Sequence, residues 1–325
     1  MAYIQSFQEE IESALSNMEV GREPAGLFEP VTYILSLGGK RIRPALCLAG
    51  CALFDMSQLK DCMHAALGLE VFHNFTLLHD DIMDGSQMRR NHQTVHEKWN
   101  VNTAILSGDA MLIKAYQHIA SISKSALPDV LTVFSRTAME VCEGQQYDME
   151  FETRNSVVED EYINMIRLKT AVLIGGSLEI GAIIGGASSD ERSNLYRFGT
   201  NIGISFQLQD DWLDVYGDSE TFGKAIGGDI VNNKKTFLLI NALNNLSVTS
   251  RKELEKWIYA KEFNREEKIT AVRNLYEEAG VGQNARELMD KYYQSALKHL
   301  SLIEGNQEVK SELASFAHQL MERSR

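Results

Sequence analysis

The chain has 325 residues, 44% hydrophobic and 24% charged, a composition that is typical of a globular protein and unlike that of a disordered or fibrous one. Its net charge of −13 argues against a broad surface for nucleic acid or anionic lipid, because the protein would repel both. The four cysteines have neither Cys-x-x-Cys nor zinc-site spacing, so we interpret them as reduced and mostly buried thiols.

The N-terminal segment, residues 1–20, carries polar side chains such as Gln8 and Glu9 where a signal peptide would have an apolar core. The most apolar stretch, residues 171–187, is interrupted by Glu179 and by several glycines. A membrane span needs about 18 or more uninterrupted apolar residues, so none is expected. We therefore predict a cytoplasmic protein.

Apolar residues recur at three- and four-residue spacing through most of the chain, as in Leu67, Val71 and Phe75, whereas strand-like alternation is scarce. Glycines and Pro128 divide the chain into segments of helical length, and no low-complexity linker separates two halves. The sequence therefore predicts an all-α fold. We expect one domain over residues 1–325, a large bundle of mostly antiparallel helices around a central cavity.

A basic cluster comes first along the chain, where Lys40, Arg41 and Arg43 follow the glycine pair Gly38 and Gly39. Arginine offers forked hydrogen bonding and lysine a mobile point charge, and both suit a phosphate group. A solvated loop would have a similar composition. The cluster alone therefore does not decide between a phosphate site and an ordinary loop.

The first acidic motif is a D-D-x-x-D formed by Asp80, Asp81 and Asp84, at the end of a helical pattern that runs from Met63 to Gly85. Asp80 and Asp84 share one helix face. Three carboxylates in a last helical turn repel one another and meet the negative end of the helix dipole. Bound Mg²⁺ would remove both penalties, and a solvated acidic helix end is the alternative.

Further polar groups surround this first motif in the sequence. His73 lies two helical turns before Asp80 on nearly the same face, and Arg89 and Arg90 follow the motif closely. A helical histidine is more often an ordinary core residue, but His73 shares its face with candidate metal ligands. Cations and carboxylates thus converge on one region of an acidic protein, which favours a site for a metal ion and a diphosphate.

A second D-D-x-x-D, formed by Asp210, Asp211 and Asp214, lies near the end of another predicted helix, from about Phe198 to Val215. Two such motifs in matching helical contexts rarely arise by chance. Together they would surround one cavity with carboxylates, enough for several Mg²⁺ ions gripping a diphosphate. Other candidate donors to phosphate are Lys169, Thr170, Lys224, Lys234 and Lys235.

These motifs, in this order, resemble the trans-polyprenyl diphosphate synthase family, which includes farnesyl and geranylgeranyl diphosphate synthases. The matching segments read GGKRIRP, HNFTLLHDDIMDG, MRR, GQQYD, KT, FQLQDDWLD and GKAIGGDIVNNKKT. The resemblance implies a Mg²⁺-dependent prenyltransferase that joins isopentenyl diphosphate head to tail to an allylic diphosphate. It also implies a homodimer.

The resemblance further implies a role for each matching residue. The metal ligands would be Asp80, Asp84 and Asp210, supported by Asp81, Asp211 and Asp214. The cations that hold the allylic diphosphate would be Arg89, Lys169 and Lys224. The isopentenyl diphosphate site would consist of Lys40, Arg43, His73 and Arg90. The residues near the reacting carbons would be Thr170, Gln207 and Phe206, and Lys234 would help to close the site.

Product length would depend on residues just before the first acidic motif, because the growing tail would run back along that helix. Phe75 lies five residues before the motif, where the family's short-chain enzymes commonly have an aromatic residue. Thr76 stands where animal farnesyl synthases usually carry a second aromatic. We therefore expect geranylgeranyl diphosphate slightly ahead of farnesyl diphosphate. Phe72 faces nearer the aspartates than Phe75, and both rings are alternatively ordinary core residues.

Two other functions fit part of this pattern. A class I terpene cyclase also ionises a prenyl diphosphate at an Asp-rich motif, but it needs no second diphosphate site and usually has a different second metal motif. A non-catalytic regulatory subunit of a prenyl synthase would be expected to have lost ligands, and none of the motif residues is missing here.

Overall fold

The computed structural model describes residues 2–217 and 226–322, and their regular structure is almost entirely helical, as predicted. The helices are α1 (Ala2–Ser16), α2 (Ala25–Ser36), α3 (Ile42–Ala52), α4 (Leu59–Met83), α5 (Val95–Lys98), α6 (Val101–Ile119), α7 (Leu127–Thr153), α8 (Glu159–Ile166), α9 (Val172–Ile184), α10 (Ser189–Tyr216), α11 (Gly228–Val231), α12 (Phe237–Asn245), α13 (Val248–Tyr259), α14 (Arg265–Glu278), α15 (Val281–Ser301) and α16 (Gln307–Glu322). The short elements are a 3₁₀ turn (Met56–Gln58), a π-helical turn (Arg167–Ala171) and the strands β1 (Met88–Arg89) and β2 (His92–Gln93).

The chain forms two compact units. The first unit consists of Met1–Thr137, Ile174–Tyr196 and Leu302–Ser315. The second unit consists of Ala138–Leu173, Arg197–Ser301 and Phe316–Arg325. The single domain over residues 1–325 therefore stays a prediction. In the parts of the chain that are described, none of the helices has the length and apolarity that crossing a membrane would require.

Helix α4 is the central helix of the first unit and carries the first acidic motif. It contacts α1, α2, α3, α5 and α6, and buried residues lie on all of its sides. A helix that is apolar all round is stable only when other elements surround it. Gly85, in the left-handed region at φ 60°, follows the last turn and ends the helix where the sequence predicted.

Helix α10, which carries the second acidic motif, begins earlier than the sequence predicted. It starts at Ser189 rather than near Phe198. Ser188 and Glu191 explain the difference, because the Glu191 carboxylate accepts from the Ser188 backbone N–H while the Glu191 N–H donates to the Ser188 hydroxyl. This capping box starts the helix within a polar segment that lacks apolar periodicity.

Glycines allow α3 and α9 to approach closely in the first unit. A Cβ atom on Gly50 would lie 2.5 Å from the carbonyl oxygen of Leu178, and a Cβ on Gly181 would collide with the carbonyl oxygen of Cys47. Cys47, Cys51 and Cys62 are buried in this region, as expected for reduced thiols, whereas Cys142 is exposed. The tight helix pair fixes α3, whose first turn contains Arg43 and directly follows the rest of the basic cluster.

Replacing Gly50 with alanine should lower the free energy of unfolding by about 1–3 kcal/mol, because the added methyl group would force α3 away from α9. Chemical denaturation followed by circular dichroism measures the change. Gly26→Ala is the matched control, since nothing lies within 4 Å of its added Cβ in α2 and alanine favours a helix. An equal loss in both variants would contradict the close packing.

Candidate active site

The basic cluster lies on the loop between α2 and α3, whose backbone is unusual. Gly38 and Gly39 have φ values of 74° and 152°, and Arg41, which precedes the first turn of α3, has a left-handed φ of 46°. The side chain of Gln8 on α1 donates a hydrogen bond to the carbonyl oxygen of Lys40. The loop is therefore held from α1, in a conformation that two successive glycines make accessible.

Arg41 turns its guanidinium into the protein, where the side chain is 2% exposed. Its Nη1 donates to Glu70 at 2.6 Å, its Nε to Glu12 at 2.8 Å and its Nη2 to the carbonyl oxygen of Leu35 at 2.9 Å. Burial lowers the pKa of Arg41, but the bonds and charges of Glu12 and Glu70 outweigh burial and raise it above its ordinary value.

A pocket of about 400 Å³ opens beside this loop in the first unit. Its lining residues are Gly39, Lys40, Arg41, Ile42, Arg43, Glu70, His73 and Arg90. Arg43 Nη1 lies 3.1 Å from His73 Nε2, which links the start of α3 to the middle of α4. The structure thus brings together the four residues, Lys40, Arg43, His73 and Arg90, that the sequence indicated for isopentenyl diphosphate.

The side chains in this pocket are electrostatically crowded. Burial lowers the pKa of Arg43 to about 10, opposed by the charge of Glu70 and assisted by that of Arg90. Burial and the nearby arginines, Arg43 and Arg90 first, hold the pKa of His73 well below its usual range. Burial also lowers the pKa of Arg90, with help from Arg41. A bound anion would relieve this repulsion, so the pocket is suited to a diphosphate.

A β-hairpin that the sequence did not predict delivers the two arginines after the first acidic motif. Met88 pairs with Gln93 and Arg89 with His92, and the turn residues Arg90 and Asn91 both have positive φ. Such a turn matches the natural twist of a two-residue hairpin. A Cβ on Gly39 would lie 2.9 Å from Arg90 Nη1, so the Arg90 guanidinium rests against the backbone of the basic loop.

The aspartates of the first motif have different surroundings. Asp81 is buried, and both of its oxygens accept from Arg89 at 2.7 Å. Burial raises the pKa of Asp81, while the Arg89 hydrogen bonds oppose that shift. The side chain of Asp80 is 21% exposed and lies 3.7 Å from Arg89, and Asp84 is exposed at the end of α4. Asp81 therefore positions Arg89, while the side chains of Asp80 and Asp84 are partly or fully exposed.

In the second unit, hydrogen bonds hold the middle aspartate of the second motif, as they hold Asp81 in the first. Asp211 is buried and accepts hydrogen bonds from the hydroxyl of Tyr162 on α8 and, at 3.0 Å, from Gln207 Nε2. Gln207 Oε1 in turn accepts from the hydroxyl of Thr170 at 3.1 Å. Burial raises the pKa of Asp211, and the charge of Lys234 is the main opposing effect. Asp210, beside it, is partly exposed.

Asp214, the last residue of the second motif, is bonded to the backbone of a neighbouring segment. Its Oδ2 accepts from the N–H of Asp229 at 2.9 Å, in the first turn of α11. The carbonyl oxygen of Asp229 accepts from the N–H of Lys234 at 2.9 Å. Asp214 thus fixes the segment that carries Lys234. Lys224, which the sequence also indicated, lies outside the described residues.

The π-helical turn between α8 and α9 carries Lys169 and Thr170. The Lys169 ammonium lies 2.6 Å from Asp148, on α7. Gly144, one helical turn before Asp148, leaves room for the backbone of Lys169, because a Cβ there would collide with its N–H group. A π-helical turn often marks a functional site. Here it brings Lys169 and Thr170 to the elements that hold Asp148 and Gln207.

The residues indicated for product length form an aromatic cluster on α4. Phe72 is 1% exposed and packs edge-on against Phe134, with the Phe75 ring 5.7 Å away. Phe75 is 8% exposed and meets the ring of His79 at 4.7 Å. The hydroxyl of Thr76 donates to the carbonyl oxygen of His73 within the helix. Phe72 is thus the more deeply packed of the two rings.

Sequence reasoning assigned no role to four residues of these networks: Glu12, Glu70, Asp148 and Tyr162. Two of them carried a signal. Glu70 lies three residues before His73, a spacing that places both on one face of α4. Asp148 ends the GQQYD segment, which matched the family without receiving a role. Tyr162 stands in an ordinary helical pattern and gave no signal.

The accessible carboxylates fit a magnesium site only in combination with a substrate. In the described stretches, no three His, Cys, Asp or Glu side chains are grouped so that they would hold a metal ion by themselves. Mg²⁺ usually binds through one or two carboxylates and takes its other oxygens from water and substrate phosphates. The partly exposed Asp80 and Asp210 and the exposed Asp84 meet that requirement.

The chain is similar to known proteins in sequence and in structure. The sequence pattern of the polyprenyl synthetase family matches residues 24–276. A geranylgeranyl diphosphate synthase of Methanosarcina mazei is 38% identical over 270 residues, covering 82% of this chain and 81% of its own. A crystal structure of a geranylgeranyl pyrophosphate synthase superposes with a TM-score of 0.91 at 46% identity, covering 100% of this chain and 98% of that one.

A further solved structure carries ligands. Geranylgeranyl pyrophosphate synthase from Corynebacterium glutamicum, in complex with isoprenyl diphosphate and magnesium, is 28% identical, with a TM-score of 0.84. The match covers 98% of this chain and 97% of that one. Sequence pattern, overall similarity and fold therefore agree, and this chain belongs to the polyprenyl synthetase family, a family of prenyltransferases.

Proposed function

We propose that the protein condenses isopentenyl diphosphate head to tail with an allylic diphosphate in the presence of Mg²⁺. The pocket formed by Lys40, Arg43, His73 and Arg90 carries the proposal. It gathers cations around a space suited to one diphosphate, apart from the carboxylates that would bind metal. A terpene cyclase needs no such second diphosphate site, and a regulatory subunit would not need to retain both acidic motifs.

The allylic diphosphate is proposed to bind at the acidic motifs. Asp80, Asp84 and Asp210 would hold Mg²⁺, which when bound neutralises the diphosphate and stabilises its departure. Support comes from their partial exposure and from the magnesium complex of the Corynebacterium glutamicum relative. The cations proposed to grip the same diphosphate are Arg89, Lys169 and Lys224. Asp81 and Asp148 orient the first two of these.

The proposed reaction starts with breakage of the allylic carbon–oxygen bond, and the bonding electrons leave with pyrophosphate. The cations must stabilise this leaving group more strongly as its charge develops. The double bond of isopentenyl diphosphate then attacks the allylic carbocation, and loss of one proton to pyrophosphate restores an alkene. Phe206, Thr170 and Gln207 would line the reacting carbons, and Lys234 would help to exclude water, which would capture the cation.

We propose geranylgeranyl diphosphate as the main product, ahead of farnesyl diphosphate. The relatives described above that share this fold and most of this chain's length are geranylgeranyl diphosphate synthases. Phe75, five residues before the first motif, would limit the tail, with Phe72 behind it. We also propose a homodimer and a cytoplasmic location. The homodimer rests on the family alone.

Replacing Asp80 or Asp210 with asparagine should reduce kcat by roughly 100-fold or more, because each carboxylate would supply a metal ligand at the leaving group. Asp109→Asn, which changes an exposed aspartate of α6, is the control and should retain full activity. Incorporation of radiolabelled isopentenyl diphosphate with dimethylallyl, geranyl or farnesyl diphosphate measures the reaction. Chelation of Mg²⁺ should abolish it. No condensation with any primer would sink the proposed function.

Replacing Phe75 with alanine should extend the product beyond that of the unaltered enzyme, because the tail would pass the removed ring. Phe72→Ala should extend it further and cost about 3–5 kcal/mol of stability, since Phe72 is deeply packed. Chromatography of the dephosphorylated products gives their length. Phe7→Ala removes a similarly buried ring from α1 and should not change it. An unchanged product length in both α4 variants would refute the proposal that Phe75 and Phe72 limit the tail.

A further inference from the structure

We propose that Arg41, Glu70 and Glu12 form a positioning network for the isopentenyl diphosphate pocket, and that Arg41 does not bind the diphosphate itself. The inference rests on the proposed function, because it assigns a task to residues behind one of that function's two substrate pockets. Arg41 stands between Lys40 and Arg43 in the basic cluster. By residue type alone it is an equally good phosphate ligand, and only its contacts distinguish it.

The guanidinium of Arg41 is hydrogen-bonded within the protein. Each of its three nitrogen atoms donates to an oxygen, on Glu12, Glu70 and Leu35, at 2.6–2.9 Å. The side chain is 2% exposed, and its charge faces two carboxylates. To bind a diphosphate it would have to leave a buried carboxylate unpaired, which is strongly unfavourable. The other cations that line the pocket are Lys40, Arg43 and Arg90.

The backbone of Arg41 has a left-handed conformation, which the hydrogen bonds of its side chain explain. Its φ of 46° and ψ of 36° place a non-glycine residue in the left-handed region, which is unfavourable for a residue with a Cβ atom. The residue occupies the N-cap position of α3, so this conformation sets the direction of both neighbours along the chain. If the ion pairs were lost, the loop would relax, and Lys40 and Arg43 would move from their positions in the pocket.

Glu70 extends the network to the other wall of the pocket. Its Oε1 accepts from Arg41 Nη1 and from Asn74 Nδ2, the latter at 2.9 Å. Three residues further along α4, His73 contacts Arg43. One carboxylate therefore ties the start of α3 to the face of α4 that presents His73. The pair of Arg43 and His73 depends on this alignment.

The sign of the Glu70 charge makes the inference testable. Among the described residues that line the pocket, only Glu70 is acidic. By Coulomb repulsion alone, a carboxylate in an anion site weakens binding of a diphosphate. Removing its charge should then tighten binding. If Glu70 instead holds Arg41 and the basic loop in place, the same substitution should weaken binding. The two roles predict opposite changes.

Glu12 provides a variant outside the pocket. It lies on α1, its side chain is 49% exposed, and it bonds Arg41 Nε at 2.8 Å without lining the pocket. Glu12→Gln keeps the size of the side chain and removes its charge. The variant therefore perturbs Arg41 from the side remote from the substrate, and an exposed position should tolerate the change without unfolding.

Glu70→Gln, Arg41→Lys and Glu12→Gln should each raise KM for isopentenyl diphosphate, the first two on the order of tenfold and Glu12→Gln less. The KM for the allylic primer and kcat at saturation should change by less than about threefold, because the hydrogen bonds of the network run to Leu35 and Asn74 rather than to the residues proposed for the allylic diphosphate. Steady-state assays of the full-length enzyme with Mg²⁺ and geranyl diphosphate measure these constants. Arg192→Lys, in the exposed pair with Asp129, is the matched control and should change neither KM.

A double-mutant cycle separates positioning from direct contact. Glu12→Gln combined with Arg41→Lys should be clearly non-additive, whereas Glu12→Gln combined with Arg192→Lys should be additive. A lower or unchanged KM for isopentenyl diphosphate in Glu70→Gln would overturn the inference. So would an equal rise in both KM values. If Glu70→Gln does not fold, Glu12→Gln carries the same test.

A measurement of binding tests the network without requiring the proposed reaction to occur. Calorimetric titration of isopentenyl diphosphate into the unaltered protein and into Glu12→Gln should give a weaker Kd in the variant. An unaltered protein that binds isopentenyl diphosphate more tightly than Glu12→Gln but forms no product would contradict the proposed reaction and still support the network. Equal Kd values would overturn the network even in an active enzyme.

Discussion

The crowding of like charges in partly buried space is the constraint on which the described sites depend. Carboxylates gathered for metal ions repel one another, and so do cations gathered for a diphosphate. Without ligands this repulsion has to be offset within the protein. Arg89 binds both oxygens of Asp81, while Arg41 is held between Glu12 and Glu70. Each pairing neutralises one member of a crowded set.

This division of labour recurs in both acidic motifs. The middle aspartate, Asp81 or Asp211, is buried and hydrogen-bonded to side chains of its own unit. The first aspartate, Asp80 or Asp210, is partly exposed. A D-D-x-x-D motif thus contains a residue that the fold has already engaged beside one that an ion can reach. The two adjacent carboxylates have unequal functions because helical geometry points them in different directions.

Much of this could be predicted from the sequence, because helical periodicity and the end of α4 at Gly85 are local properties. The basic residues that line the basic pocket could also be named from the motifs that the chain shares with the family. What could not be predicted depends on contacts distant in sequence. The inward turn of Arg41 requires a buried Glu70 on another helix, and the left-handed turn at Arg90 and Asn91 forms without a glycine. Charge and propensity give no sign of either.

The most direct test of the account is a crystal structure with Mg²⁺, isopentenyl diphosphate and an unreactive thio analogue of an allylic diphosphate. Magnesium should lie on Asp80, Asp84 and Asp210, and isopentenyl diphosphate should lie on Arg43 and its neighbours in the basic pocket. The ion pair between Arg41 and Glu70 should persist. Isopentenyl diphosphate bound through Arg41, with that ion pair broken, or magnesium away from the aspartates, would contradict it.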